Sequence, residues 1–443
     1  MTKSSRPLRL TACAAVCAAG ALAALPAGAA APYAHAAATV VVGDPLAGNH
    51  GFGVVTEQDA LLGSTGSEGP VAVGGDLSFG PGFTLGRRTA GTFTAPGDAR
   101  PTALLVGGRI AYAASSSVGV LKVLSDGHVK IGDLTGGDVV TRGADGAAAD
   151  TRLTATGTGH DSTPRIELTT RQPAASVGPA PGLLDPAALF GAHRDRTDAL
   201  AGCAPTVAPA GTGRVTLDVD RTNVLRLTGE QLNRLSALTF PRRPTASGPL
   251  VIDVDTTATG SVLTWDVPDL AGIGRSDAPY VLWNFADATH LTIADGGTVE
   301  GTIYAPRAHL TDRDPDAIDG SVVVRSLTAG PLDDLDTRAA RGRGGAQRTS
   351  RAPANAGEIH HVPFSAHLAC DGGPTPKPTP TPTPTPTRPE TPAPSTPPHP
   401  TAPTTPLTPG LAESGTSART YAAATLAVLS TVAGLLLVRR FRR

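Results

Sequence analysis

Cysteine, lysine and aromatic residues are all scarce in this chain, and each scarcity excludes something. Of 443 residues only four are cysteine, and aromatics make up 4%. Lysine occurs only at Lys3, Lys122, Lys130 and Lys377, so any intramolecular Lys–Asn isopeptide cross-link would have to start from Lys122 or Lys130. The charges nearly cancel, 37 basic against 38 acidic residues. A chain without a basic surplus is a poor fit for nucleic acid, which needs a basic face against phosphate. No nucleophile elbow, HExxH helix or Walker loop is present. What is abundant is glycine (52) and proline (41). The glycine is spread through the body, as expected of tight turns between short strands, and much of the proline lies in one tract.

The N-terminus reads as an export signal over residues 1–36. Lys3, Arg6 and Arg9 precede an Ala-rich apolar stretch from Leu10 to Leu25, followed by small residues suited to cleavage. Cys13 and Cys17 leave with it. Cys203 and Cys370 remain, and in an oxidising compartment they form one disulfide or stand as two separate buried thiols.

The C-terminal stretch, 411–443, sets the topology. Leu411, Ala412, Glu413, Ser414 and Gly415 precede a polar spacer, an uncharged apolar run from Tyr421 to Val438, and Arg439-Arg440-Phe441-Arg442-Arg443. The run holds eighteen residues, about 27 Å as a helix, barely enough to span a hydrocarbon core. The arginines would hold the end in the cytoplasm. This arrangement resembles the cell-wall sorting signal of Gram-positive bacteria, in the Leu-Ala-x-Thr-Gly form read by class E sortases of actinomycetes, with Ser414 in the threonine place. The resemblance implies a sortase as partner and peptidoglycan as anchor. A plain transmembrane helix in the plasma membrane is the other reading. Residues 374–410, Pro/Thr-rich, would form an extended, disordered stalk of polyproline II character.

Between these lies one globular region, residues 37–373. Its strands are short and broken at glycine: Val71-Ala72-Val73 before Gly74-Gly75, Leu104-Leu105-Val106 before Gly107-Gly108, Val120 to Leu124 before Ser125-Asp126-Gly127. The pattern predicts a mainly β fold of β-helix or solenoid type, with an ordinary β-sandwich as the alternative. Further strands are expected at Arg214–Val219, Leu250–Val254, Val262–Trp265 and in the runs from Val281 to Val324. Two helices interrupt them. Asp185-Pro186 caps the first, with Leu189, Phe190, His193 and Leu200 facing inward and Gly202 ending it. Thr228 and Gln231 have capping-box spacing at the start of a second, Gly229 to Ser236.

Several segments together resemble the choice-of-anchor A family of bacterial surface proteins: Glu68 to Gly75, Leu282-Trp283-Asn284-Phe285, Gly301 to Pro306, and Gly357-Glu358-Ile359-His360 before Phe364. The resemblance covers about Leu46 to Leu368. It implies an adhesive domain, β-helical and related in shape to ice-binding solenoids, carrying no established catalytic residues.

Candidate chemistry is thin. Asp312, Asp314, Asp316 and Asp319 imitate part of a calcium loop, although the twelfth position holds Val323 where an EF-hand needs Glu; calcium or a bare acidic turn are the two readings. Glu358 and His360 share one strand face, with His361 and His367 near, short of a zinc set. Trp265 and Trp283 read as core before sugar-stacking platforms. Asp253, Asp255 and Asp266 are the acids available to a polysaccharide-active enzyme. The expectation is a non-enzymatic, surface-displayed domain that binds an extracellular glycan or protein, with Thr289, Thr292, Thr302 and Thr311 as contact residues. An extracellular polysaccharide enzyme and a structural wall component are the alternatives.

Overall fold

The computed structural model describes residues 39–331, apart from 212, and 356–372. The export signal, the Pro/Thr-rich stalk, the sorting motif Leu411–Gly415 and the apolar run after it lie outside the described residues. Within the described residues no helix is long and apolar enough to cross a membrane.

The architecture is mainly β with few helices; most of its strands form three ladders, beside two two-stranded pairings, Thr39–Gly43 with Leu368–Asp371 and Ala237–Thr239 with Asp269–Ala271. Between Thr302 and Ala329 the chain visits each in turn. Leu282, Trp283 and Asn284 pair in parallel with Thr302, Ile303 and Tyr304 on the first ladder. Leu291 and Thr292 pair with Leu310 and Thr311 on the second. Val299–Glu300 pairs with Ile318–Asp319 on the third. The chain then returns to the first, where Val322 lies beside Ile303.

The first ladder holds nine strands, all parallel, and their order in space is not their order in sequence. Val54–Thr56, Val71–Val73, Thr102–Val106 and His128–Ile131 stack in one direction. The chain then crosses to the far end, and Asn223–Thr228, Leu250–Asp255, Val281–Asn284, Thr302–Asp312 and Val322–Ala329 stack back toward the start. The runs meet where Val54, Val55 and Thr56 pair with Val322, Val323 and Val324. On the third ladder this seam holds a further strand, Ile359–His360, between Ile318–Asp319 and Gly66–Ser67. The spatial sequence is therefore a circular permutation of the chain.

The helix Pro186–Ala201 belongs to the crossing. Asp185 accepts a hydrogen bond from the Ala188 N–H (3.0 Å) and Pro186 takes the first helical position, the arrangement that satisfies orphan donors at a helix start. Its buried stripe, Phe190, His193, Thr197 and Leu200, lies on the outer surface of the first ladder. There, with Phe364 and Leu368, it covers Val55, Leu105, Leu282, Tyr304 and Val323. Leu189 is half-buried at the edge of this cluster. The second helix, Gly229–Asn233, is shorter than the sequence suggested, and both hydrogen bonds of its capping box form.

The glycine pairs act by close approach. Gly74, Gly107 and Gly132 stack at one corner, where a Cβ on Gly107 would lie 2.6 Å from the Gly74 carbonyl oxygen and one on Gly132 would lie 2.0 Å from that of Gly107. Only glycine lets successive strands turn this corner at ladder spacing. Inside, the three ladders enclose a continuous apolar core. Trp265 and Trp283 are fully buried there with ring centroids 4.9 Å apart. The expected strand Arg214–Val219 does not form; within it Arg214 alone makes isolated bridges, to Ala210 and to Thr239. Val215 and Leu217 are nonetheless buried in the core, so their alternation reflects packing without a ladder partner.

Candidate functional site

The second ladder repeats one local pattern. Leu263-Thr264-Trp265, Leu291-Thr292-Ile293, Leu310-Thr311-Asp312 and Leu327-Thr328-Ala329 align in parallel register. Because strand side chains alternate, the flanking residues point into the core and each threonine points out. Leu263, Leu291, Leu310 and Leu327 are buried, whereas Thr264 is exposed and Thr292, Thr311 and Thr328 are half-exposed. Four threonines thus form one row at a rung spacing of about 4.8 Å. The row continues across the seam as Leu61, beside Thr328, and Ser78, beside Leu61.

A second outward row lies two residues earlier on each strand. Val262 pairs with His290, His290 with His309, and His309 with Ser326. The rings of His290 and His309 stand edge to face at 6.4 Å. His309 Nδ1 hydrogen-bonds the Ser326 hydroxyl at 2.8 Å. Burial first, then the neighbouring His290 and Arg325 charges, lower the His309 pKa, favouring the neutral ring. Val262 is 47% exposed and is among the few large apolar side chains to face outward.

Sequence reasoning found half of this face. Thr292 and Thr311 are in the row. Thr302 is fully buried on the first ladder, and Thr289 sits at the corner with its hydroxyl bonded to the Ser261 carbonyl. Thr264, Thr328 and the histidine pair were missed, and the signal was present: Leu-Thr recurs at the four strands, always with the leucine inward.

The aspartates of the calcium-like turn do not converge. Asp312 projects into the core in the inward row that includes Trp265 and Ile293, and burial raises its pKa to about 7. Its Oδ1 accepts from the Asp314 N–H, and Asp314 Oδ1 from the Asp316 N–H. Asp319 instead turns to the third ladder and bonds His360, with Glu358 3.7 Å from the same ring. His361 lies against Gly53 and Gly69, and His367 is exposed. Among the described residues no three His, Cys, Asp or Glu side chains are arranged to hold a metal ion. The Asx-type backbone bonds account for the acidic spacing.

Two of the three acids named for an enzyme share a surface concavity of about 230 Å³ lined also by Arg226 and Asp287. Asp253, whose pKa is raised chiefly by burial, is held by Arg226 Nε at 2.9 Å and Asn284 Nδ2 at 2.8 Å. Asp255 accepts from the Thr257 N–H, and Asp287 from the Thr256 N–H and hydroxyl. Asp266 lies on the next strand in sequence, on the second ladder, exposed and outside this concavity. The carboxylates that meet here are engaged in holding turns and the end of the helix.

Cys203 and Cys370 form a disulfide with Cα atoms 5.7 Å apart, tying the end of the long helix to the last strand, Leu368–Asp371. Lys130 is buried in an ion pair with Asp98 at 2.7 Å, and Lys122 is exposed beside Glu167.

The fold and this face define a β-rich protein that presents one regular, polar, outward row on a rigid core. Residues 45–332 match the family model described as "Putative Ice-binding-like adhesive domain", and the chain belongs to that family. Among solved structures it is similar to an ice-binding protein from the Antarctic ascomycete Antarctomyces psychrotrophicus, at 15% identity over 65% of this chain and 94% of that one, TM-score 0.25. It is also similar to an ice binding protein from an Antarctic bacterium of the Flavobacteriaceae, at 11% identity over 74% and 80%, TM-score 0.18. No curated protein matches the chain.

Proposed function

We propose that the three ladders are the faces of a β-helix whose second face is the binding surface of a non-enzymatic adhesive protein displayed outside the cell. The observation that carries this reading is the in-register row Thr264, Thr292, Thr311 and Thr328. Repeated side chains at rung spacing suit an extended, repetitive ligand, an extracellular glycan or a matrix protein. The first face is covered by the helix and the C-terminal segment, whereas the threonines of the second are exposed or half-exposed. Commitment of the Asp253, Asp255 and Asp287 carboxylates to internal hydrogen bonds weighs against the polysaccharide-enzyme reading. Ice, named in the family description, is less favoured because His290 and His309 interrupt the regularity of the second row.

The sequence adds the setting: a choice-of-anchor A type surface protein with an export signal, a Pro/Thr-rich stalk and the sortase-type motif Leu411–Gly415, or a plain membrane helix in its place. A strain lacking the protein should lose adherence or aggregation while growing normally on ordinary carbon sources. Turnover of a polysaccharide by the purified chain, abolished by one Asp or Glu substitution, would instead establish the enzyme. For the anchor, muramidase digestion of the wall should release the protein where detergent alone does not; full extraction by detergent would leave only the membrane helix.

A further inference from the structure

Where the two runs meet, the threonine row gives way to a concavity of about 280 Å³ lined by Gln58, Asp59, Leu61, Ser78, His309, Ser326 and Thr328, with Ala60 and Leu327 behind them. Its walls come from opposite halves of the chain. Leu61 and Ser78 belong to the first run, and His309, Ser326 and Thr328 to the second. It is smaller than the roughly 300–1,000 Å³ of sites for drug-sized ligands, and of a size for one sugar ring.

The chemistry of the lining selects further. Leu61 offers an apolar surface in the middle, half-exposed, flanked by exposed Gln58 and Asp59. Around it stand an amide, a carboxylate, an imidazole and three hydroxyls. The Gln58 amide can engage two vicinal hydroxyls, Asp59 offers Oδ2 because its Oδ1 accepts from the Asp76 N–H (2.8 Å), and an apolar patch suits the C–H face of a pyranose. No lysine or arginine lines the concavity. Burial holds the His309 pKa down, so no fixed positive charge is present at neutral pH to meet a sulfate, phosphate or uronate, and Asp59 would repel one.

We propose that this concavity is a subsite for a neutral pyranose unit of an extracellular glycan, the point at which a polysaccharide lying along the threonine row is recognised in detail. The inference rests on the second face being the binding face. It places the specific contact at the seam, so that recognition requires both runs of the chain to be docked.

Saturation-transfer NMR on the full-length chain tests it, with methyl glucoside, methyl mannoside and methyl galactoside as probes and methyl glucuronoside as the charged control. At least one neutral glycoside should receive saturation, and the glucuronoside should not. Gln58→Ala and Leu61→Ser, both outside the buried core, should each weaken that binding about tenfold, the scale of one lost hydrogen bond or apolar contact. Val41→Ser, exposed on the strand Thr39–Gly43 and outside the second face, should leave it unchanged. No transfer to any neutral glycoside, equal binding of the glucuronoside, or full binding by both concavity variants would overturn the subsite. The parent reading fails separately: if Thr264→Lys and Thr292→Lys leave cell adherence intact, the second face is not the binding surface, whatever the glycosides do.

Discussion

Val54 and Val322, from opposite ends of the described domain, are register partners in one parallel ladder, both with side chains buried in the common core. This contact joins the two runs, so the domain is expected to unfold as one unit although the chain builds its halves separately. Val54→Ala and Val322→Ala should each cost about 1–2 kcal/mol, the range for small core truncations. Unfolding followed by circular dichroism and by tryptophan fluorescence, which reports Trp265 and Trp283 in the second run, should remain coincident. Two separated transitions would show that the seam does not couple the runs.

The disulfide holds the C-terminal segment in place. Cys370 lies on Leu368–Asp371, which pairs with Thr39–Gly43, accepts from the Ala204 N–H at the Asp371 carbonyl, and packs on the helix side of the first ladder. Non-reducing peptide mapping should recover the Cys203–Cys370 pair. With a sequence separation of 167, its loss could cost up to roughly 5 kcal/mol in the chain-entropy model. In Cys370→Ser, hydrogen exchange should rise first in residues 359–371 and leave the second ladder protected. Uniform loss of protection would show that the bridge supports the whole core.

Acid should loosen the long helix. His193 is buried, with its ring nitrogens 2.8 Å from the Tyr304 hydroxyl and from Asn49 Oδ1. Burial first, then Arg196 and Arg194, depress its pKa to about 4. A histidine depressed in the folded state binds its proton more readily when unfolded. Its contribution is therefore present above pH 6.5 and is lost as pH falls toward 4, by about 3 kcal/mol. His193→Gln should flatten melting temperature over that window; an unchanged acid slope would exclude this histidine.

Asp312 works in the opposite direction. Its pKa is raised to about 7 by burial, so the folded state keeps a proton that the unfolded state releases. The cost is absent below about pH 4 and grows as pH rises to 7, reaching at most about 4 kcal/mol. Asp312→Asn should therefore gain on the parent as pH rises from 5 to 8, as read by thermal melts. A constant difference across that range would mean that Asp312 is not carrying a proton.

Much of this fold was legible in the sequence because its signals are local. The N-cap at Asp185, the capping box at Thr228 and Gln231, and the short strands before Gly74 and Gly107 follow from chemistry within a few residues. The export-side cysteine count left Cys203 and Cys370 as partners, and they are bonded. The spatial order was not legible, because nothing near Val54 specifies a partner at Val322 and the strands of the first ladder recur at irregular intervals. The outward threonine row was only half legible for a related reason. Thr302 and Thr311 lie on one continuous strand, Thr302–Asp312, yet this strand passes from the first ladder to the second, so one threonine is buried and the other faces out. The aspartates left two readings open in the sequence, because Asx turns have the spacing of a calcium loop and spacing alone does not report convergence.

The central claim is that the threonine row is the adhesive surface, and the direct measurement is single-cell force spectroscopy on cells displaying the full-length protein. Thr292→Lys with Thr311→Lys replaces two outward side chains at the centre of the row and leaves the inward leucines in place. The account predicts that display level and proteolytic resistance are kept while adhesion force falls by most of its value. Undiminished adhesion by this double variant, correctly displayed and folded, would contradict it.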